Sequence, residues 1–186
     1  MSRFVSRELP LSGLMELTRQ KIGDERGYLQ RVFCSDELAG FGWPGPVAQV
    51  NHTYTARLGT VRGMHFQREP YADAKLVSVL RGQVWDVAVD LRQDSATYLD
   101  WYGVLLCAER NNALLLPAGF AHGFQTLTDD VELIYCHSKA YAPEFEDGLN
   151  PLDRRLSINW PVDITVMSER DSSHPEIGAP AEGDNS

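Results

Sequence analysis

The sequence predicts an all-β fold, a sandwich or a closed barrel, and three observations predict it. Apolar residues come in short runs broken by Gly, Pro, Asn and Asp. The breaks recur roughly every 8–12 residues, the spacing of strands joined by turns. Long stretches of apolar residues at helical spacing are hard to find. With 186 residues the chain buries about 70% of its unfolded surface in one core, so no disulfide or metal staple is required.

The strands follow in order. LGTVRGMHFQ (58–67), KLVSVL (75–80), QVWDVAVDL (83–91) and YLDWYGVLL (98–106) are the first four. ALLLP (113–117), HGFQTL (122–127) and VELIYCHS (131–138) complete the set. Helical turns are expected only at SDELAG (35–40) and PLDRRL (151–156). Residues 1–175 read as a single domain. The segment 176–186 is polar and rich in Gly and Pro, and it is expected to be a disordered tail.

One turn can be read closely. Arg81 and Gly82 sit between two β-branched runs, as a two-residue hairpin turn would. That hairpin pairs Leu80 with Gln83, Val77 with Asp86 and Lys75 with Ala88. Side chains alternate faces along each strand. One face then carries Lys75, Val77, Val79, Val84, Asp86, Ala88 and Asp90, with Lys75 diagonal to Asp86.

Composition excludes several classes. The net charge of -9 argues against nucleic acid or an anionic membrane as a partner. No apolar run reaches the roughly 18–20 residues of a membrane span. The N-terminal MSRFVSRELPLSG lacks a signal peptide's apolar region. Cys34, Cys107 and Cys136 are odd in number and form no CxxC pair, which fits a reducing, cytoplasmic location. Of the 17 cationic residues only Lys21, Lys75 and Lys139 are lysine, leaving 14 Arg.

Two clusters carry the chemistry. Gly59 is followed after five residues by His65, and then by Gln67. Pro117, Gly119 and His122 form a second cluster. Together they resemble the two motifs of the cupin superfamily, which implies a double-stranded β-helix, a jelly-roll barrel, with short flanking helices. Gln67 stands where the first motif has its second histidine. A catalytic metal usually keeps three protein ligands and one open position, and Lys75 would repel a cation. A metal-dependent cupin oxygenase or isomerase built on His65 and His122 is therefore the alternative rather than the leading reading. Without metal, a base, a cation and hydrogen-bond donors around one cavity suit proton abstraction next to a ketone.

The chain further resembles the dTDP-4-dehydrorhamnose 3,5-epimerase family. The matching segments are 23–27, 49–51, 62–67, 75–77, 86–92, 117–124, Tyr135, 141–143, 160–161 and 168–171, in family order. The resemblance implies a role for each matched residue. His65 is the general base, oriented and made more basic by Asp171, and Tyr135 is the acid on the opposite face. Lys75 stabilises the enolate oxygen, with His122, and Asp86 holds Lys75. Arg26, Arg62 and Arg170 meet the diphosphate and nearby groups, where guanidinium forks suit phosphate. Gln49, Asn51, Gln67 and Tyr141 help seat nucleotide or sugar. No cofactor and no metal is implied. The expected partners are a nucleotide-diphosphate sugar and a second copy of the chain, since N-terminal strands in this family extend onto the partner. Arg31 and Ala140 depart from the family pattern at the nucleotide end, which leaves the nucleotide open. A non-catalytic sugar-nucleotide binding module is the other alternative. His52 and His137, outside the motifs, read as packing or hydrogen-bonding residues.

Overall fold

The computed structural model describes residues 2–178. The strands are β1 (Phe4–Glu8), β2 (Met15–Arg19), β3 (Lys21–Asp24), β4 (Gly27–Gln30), β5 (Gln49–Thr55), β6 (Val61–Gln67) and β7 (Lys75–Arg81). They continue with β8 (Gln83–Asp90), β9 (Trp101–Cys107), β10 (Asn112–Leu116), β11 (Phe120–Thr126), β12 (Val131–His137) and β13 (Glu146–Gly148). Two short helices are α1 (Ser35–Ala39) and α2 (Glu169–Ser172). A six-stranded sheet, ordered β1-β2-β10-β7-β12-β5, faces a five-stranded sheet, ordered β13-β6-β11-β8-β9. This is the jelly roll that the motifs imply. The pair β3–β4 forms a separate two-stranded sheet.

The apolar residues explain the two layers. Val77, Val79, Leu114, Leu116 and Leu133 from the large sheet meet Val84, Ala88, Leu106, Phe120 and Phe124 from the small one. Alternate residues point the other way. Leu76, Ala113, Leu115 and Cys136 lie on the outside of the large sheet under Leu38 of α1 and Trp43. Met64, Val87, Val89 and Ala121 lie on the outside of the small sheet under Leu156, with Leu149, Trp160 and Ile177 packed against them. Both faces of the central strands are thus buried, which is why they read as continuous apolar runs.

The structure corrects the hairpin. β7 pairs with β10 and β12, while β8 pairs with β11 and β9. The chain crosses between sheets at Arg81 and Gly82 instead of turning back within one. Gly82 has φ +78, and a Cβ there would lie 2.5 Å from Thr128 Oγ1. The expected partners Val77 and Asp86 therefore belong to opposite walls. The face assignment survives, because Val77, Val79, Val84 and Ala88 all point into the same interior. A Gly at a turn fixes a backbone conformation, and a hairpin and a sheet-to-sheet corner both use it.

Residues 151–156 form turns rather than a helix, and α2 at 169–172 was not anticipated. At the start of the segment expected as a tail, Ile177 packs against the outer cluster and its N–H donates to Asp153 Oδ2 at 2.5 Å. The rest of that segment, 179–186, lies outside the described residues. Among the described residues no helix is long and apolar enough to cross a membrane.

Candidate active site

At one end of the sandwich the interior changes from apolar to polar. β6 turns His65 and Gln67 inward, β7 turns Lys75, β11 turns His122, and β12 turns Tyr135 and His137. They line a cavity of about 780 Å³. Gln49, Asn51, Arg62, Tyr141, Arg170 and Asp171 complete the expected lining. Arg26 and Asp86 are the expected residues that do not reach it.

His65 and Asp171 form the first pair. The carboxylate Oδ1 of Asp171 lies 2.8 Å from His65 Nε2. Ser168 caps α2 by accepting from the Asp171 N–H, so the carboxylate is delivered from the first turn of that helix. Gly63 N–H donates to its other oxygen at 3.2 Å. Burial alone would raise the Asp171 carboxyl, but the bonds from His65 and Gly63 outweigh it and hold it below its ordinary value. With Nε2–H given to Asp171, Nδ1 is the basic nitrogen of His65.

Tyr135 comes from the other sheet. It is 9% exposed, and its hydroxyl is pushed well above the usual phenol value by burial and then by the charge of Asp86. It is a protonated donor at neutral pH. Its ring meets that of His122 edge-on, with centroids 5.9 Å apart.

Lys75 lies on β7, also in the large sheet, and its Nζ donates to the His65 carbonyl at 3.3 Å. Its ionic partner is Asp73, with Nζ 3.9 Å from Oδ1. This corrects the expected Asp86–Lys75 pair. Asp86 is wholly buried behind His122 on the small sheet, with both oxygens 3.0 Å from His122 Nε2. It holds His122 in place and touches the cavity only through that ring. Burial raises the Asp86 carboxyl, and His122 opposes the rise.

Other expected contacts differ in detail. Gln67 is committed to the chain itself. Its Nε2 donates to the carbonyls of Tyr71 and Ala140, and its Oε1 accepts from Ala142 N–H at 2.7 Å. It clamps the Tyr141 segment, so its amide is not free for substrate. Arg26 sits at the tip of the β3–β4 hairpin, pairs with Asp24 and points into solvent, with its side chain 84% exposed. Arg170 pairs with Glu146 at 2.8 Å, and Tyr141 donates its hydroxyl to the same carboxylate at 2.6 Å.

Sequence reasoning missed Asp73, Lys139 and Glu146, and it did not assign His137 to the site. All four line the cavity. Asp73 stands two residues from Lys75, but its histidine partner lies 64 positions away, which no local spacing reveals. Among the described residues no group of three or more His, Cys, Asp or Glu is arranged to hold a metal. Both motif histidines direct Nε2 to a carboxylate.

Known proteins resemble this chain over most of its length. The family model described as dTDP-4-dehydrorhamnose 3,5-epimerase matches residues 8–178. A protein of that name from Sinorhizobium fredii is 41% identical over 176 residues, 92% of this chain and 88% of the relative. A dTDP-4-dehydro-6-deoxyglucose 3-epimerase from a Streptomyces species is 45% identical over 156 residues, 83% of this chain and 79% of the relative. A solved 3,5-epimerase from Legionella pneumophila, in complex with dTDP-4-keto-L-rhamnose, superposes with a TM-score of 0.89. It is 32% identical, and the match covers 95% of this chain and 94% of that one. With its motifs in order, its jelly roll and its matched relatives over nearly the whole length, the chain belongs to the dTDP-4-dehydrorhamnose 3,5-epimerase family of isomerases.

Proposed function

We propose that this protein epimerises a nucleotide-diphosphate 4-keto-6-deoxy sugar at C3, C5 or both, by proton transfer through an enolate. One observation carries the reading. The base His65 and the acid Tyr135 stand on opposite sheets of the sandwich with the cavity between them. A carbon held there loses its proton to one wall and regains one from the other, which inverts it.

The steps balance. His65 Nδ1 takes the proton next to the C4 ketone; the electron pair of that C–H bond becomes the C=C bond of the enolate, and the carbonyl π pair moves onto the keto oxygen. The Lys75 ammonium, with His122, stabilises the enolate oxygen. Asp171 stabilises the imidazolium. The enolate then collapses, and Tyr135 O–H gives its proton to the same carbon on the other face; the imidazolium loses its proton to solvent and the tyrosinate regains one before the next turnover. No cofactor enters these steps. Arg62, Arg170 and Lys139 give the cavity the cations that a diphosphate requires.

The working form is a homodimer. Ile22, Tyr28 and Leu29 on the β3–β4 hairpin are exposed, Tyr28 to 63% and Leu29 to 72%. β5 is an edge of the large sheet and exposes Val50 and Tyr54. Apolar residues on a free edge and on a projecting hairpin favour burial against a second copy. In that arrangement the hairpin carries Arg26 toward the partner's cavity.

Solvent-deuterium exchange tests the function. Incubated in deuterium oxide with dTDP-4-keto-6-deoxyglucose, the protein is expected to incorporate deuterium at C3, C5 or both, and His65→Asn is expected to stop it. Folded protein that gives no exchange above background overturns the proposal. Thermal shift across nucleoside diphosphates identifies the nucleotide, since stabilisation grows as RT ln(1 + [L]/Kd).

A further inference from the structure

A third histidine–carboxylate pair, beside His65–Asp171 and His122–Asp86, stands at the cavity, and the steps above leave it unused. Asp73 closes the loop before β7 and is 5% exposed. Its Oδ2 lies 2.8 Å from His137 Nδ1, and its Oδ1 faces Lys75 Nζ. His137 and Lys75 are themselves register partners on β12 and β7.

Lys75 needs such a neighbour. Burial is the largest influence on its ammonium and lowers its pKa; Asp73 and then Glu146 pull it back up. The groups around it come from several elements. Its own loop offers Asp73, β6 offers His65, and β13 offers Glu146. β12 offers His137 and the protonated Tyr135, and Lys139 follows that strand. Glu146 is already bonded to Arg170 and to the Tyr141 hydroxyl. Asp73 alone combines a carboxylate within 3.9 Å of the ammonium with near-complete burial.

His137 fixes that carboxylate. With Nδ1–H donated to Asp73, Nε2 accepts from Asn51 Nδ2 at 3.5 Å. Asn51 Oδ1 accepts from Gln49 Nε2 at 3.1 Å, and Gln49 Oε1 accepts from Tyr141 N–H at 2.9 Å. One wall of the cavity is therefore a continuous polar chain from Lys75 to the Tyr141 segment.

We propose that Asp73, clamped by His137, is a positioning residue for the epimerisation, supplying the counter-charge that keeps Lys75 an ammonium aimed at the keto oxygen. The inference rests on the proposed function, but its first test needs no substrate. The chain has only three lysines, so protein carrying 13Cε-lysine gives three side-chain signals, and Lys75→Arg assigns the one of interest. In Asp73→Asn the Lys75 titration midpoint is expected to fall by about one pH unit, while Lys21 and Lys139 stay. Where the Asn variant does not fold, Asp73→Ser is expected to give the same displacement. A Lys75 midpoint unmoved in either folded variant overturns the proposal, whether or not the protein proves to be an epimerase.

Turnover supplies the second test. Asp73→Asn is expected to lower kcat by up to about tenfold on the alkaline side, with KM within about threefold. The alkaline limb of kcat should move to lower pH, and Asp73→Glu should restore part of both. A loop-anchoring role alone would leave that limb in place, and an unmoved limb in an active variant contradicts the proposal.

Discussion

Asp171 meets His65 through one hydrogen bond of 2.8 Å, and that bond decides which ring nitrogen is left for the proposed proton abstraction. Asp171→Asn keeps the size but offers an amide that can turn its N–H toward the ring, favouring the wrong tautomer. Turnover should fall by about 10²-fold or more with KM little changed, measurable in steady-state kinetics. Asp171 and His65 were legible in the sequence because each sits in a motif. The true partners of Lys75 and Asp86 were not. Asp86 was expected to hold Lys75 along a supposed hairpin, but Asp86 faces His122 across β8–β11, and Asp73, given no role in the sequence, faces Lys75. Which strand lies beside β8 depends on topology, which side-chain alternation alone does not supply.

Among the elements, the seven apolar strands were readable because burial on both faces makes their runs continuous. The strands β1 to β5 were not, since they are short, polar or exposed, and β3 has every residue exposed. Two junctions between elements carry predictions. Gly63 on β6 has φ +130, and a Cβ there would lie 2.5 Å from Gly123 Cα on β11. Gly63→Ala should cost about 2–4 kcal/mol in urea unfolding, since neither backbone can give way cheaply. At the end of β8, Asp90 accepts from Arg92, Ser95 and Thr97 and ties down the loop to β9. Burial would raise its carboxyl, yet those bonds hold it down at about 2. The unfolded chain therefore binds the proton first as pH falls. About 2 kcal/mol of stability is present above pH ~4 and is lost as pH falls toward 2. Urea unfolding from pH 5 to pH 2 should show that slope, and Asp90→Asn should flatten it.

At the scale of the whole molecule, charge is unevenly distributed. The chain carries a net charge of -9, yet its cavity gathers Arg62, Lys75, Lys139 and Arg170. An acidic exterior repels large polyanions, while the cavity holds these cations beside Asp73, Glu146 and Asp171, which leaves Arg62 and Lys139 for a small anion. The exposed apolar hairpin predicts the mass of two chains in sedimentation. Replacing Tyr28 and Leu29 together by Ser should shift the protein toward one chain and weaken substrate binding through the displaced Arg26. The central claim is that two opposed walls carry base and acid, and Tyr135→Phe tests it most directly by separating deuterium exchange from inversion. With His65 intact, the sugar should still exchange its proton for solvent deuterium, while inverted product forms at least about tenfold more slowly than with the native protein. Inversion at the native rate in Tyr135→Phe would contradict a proton delivered from the opposite wall.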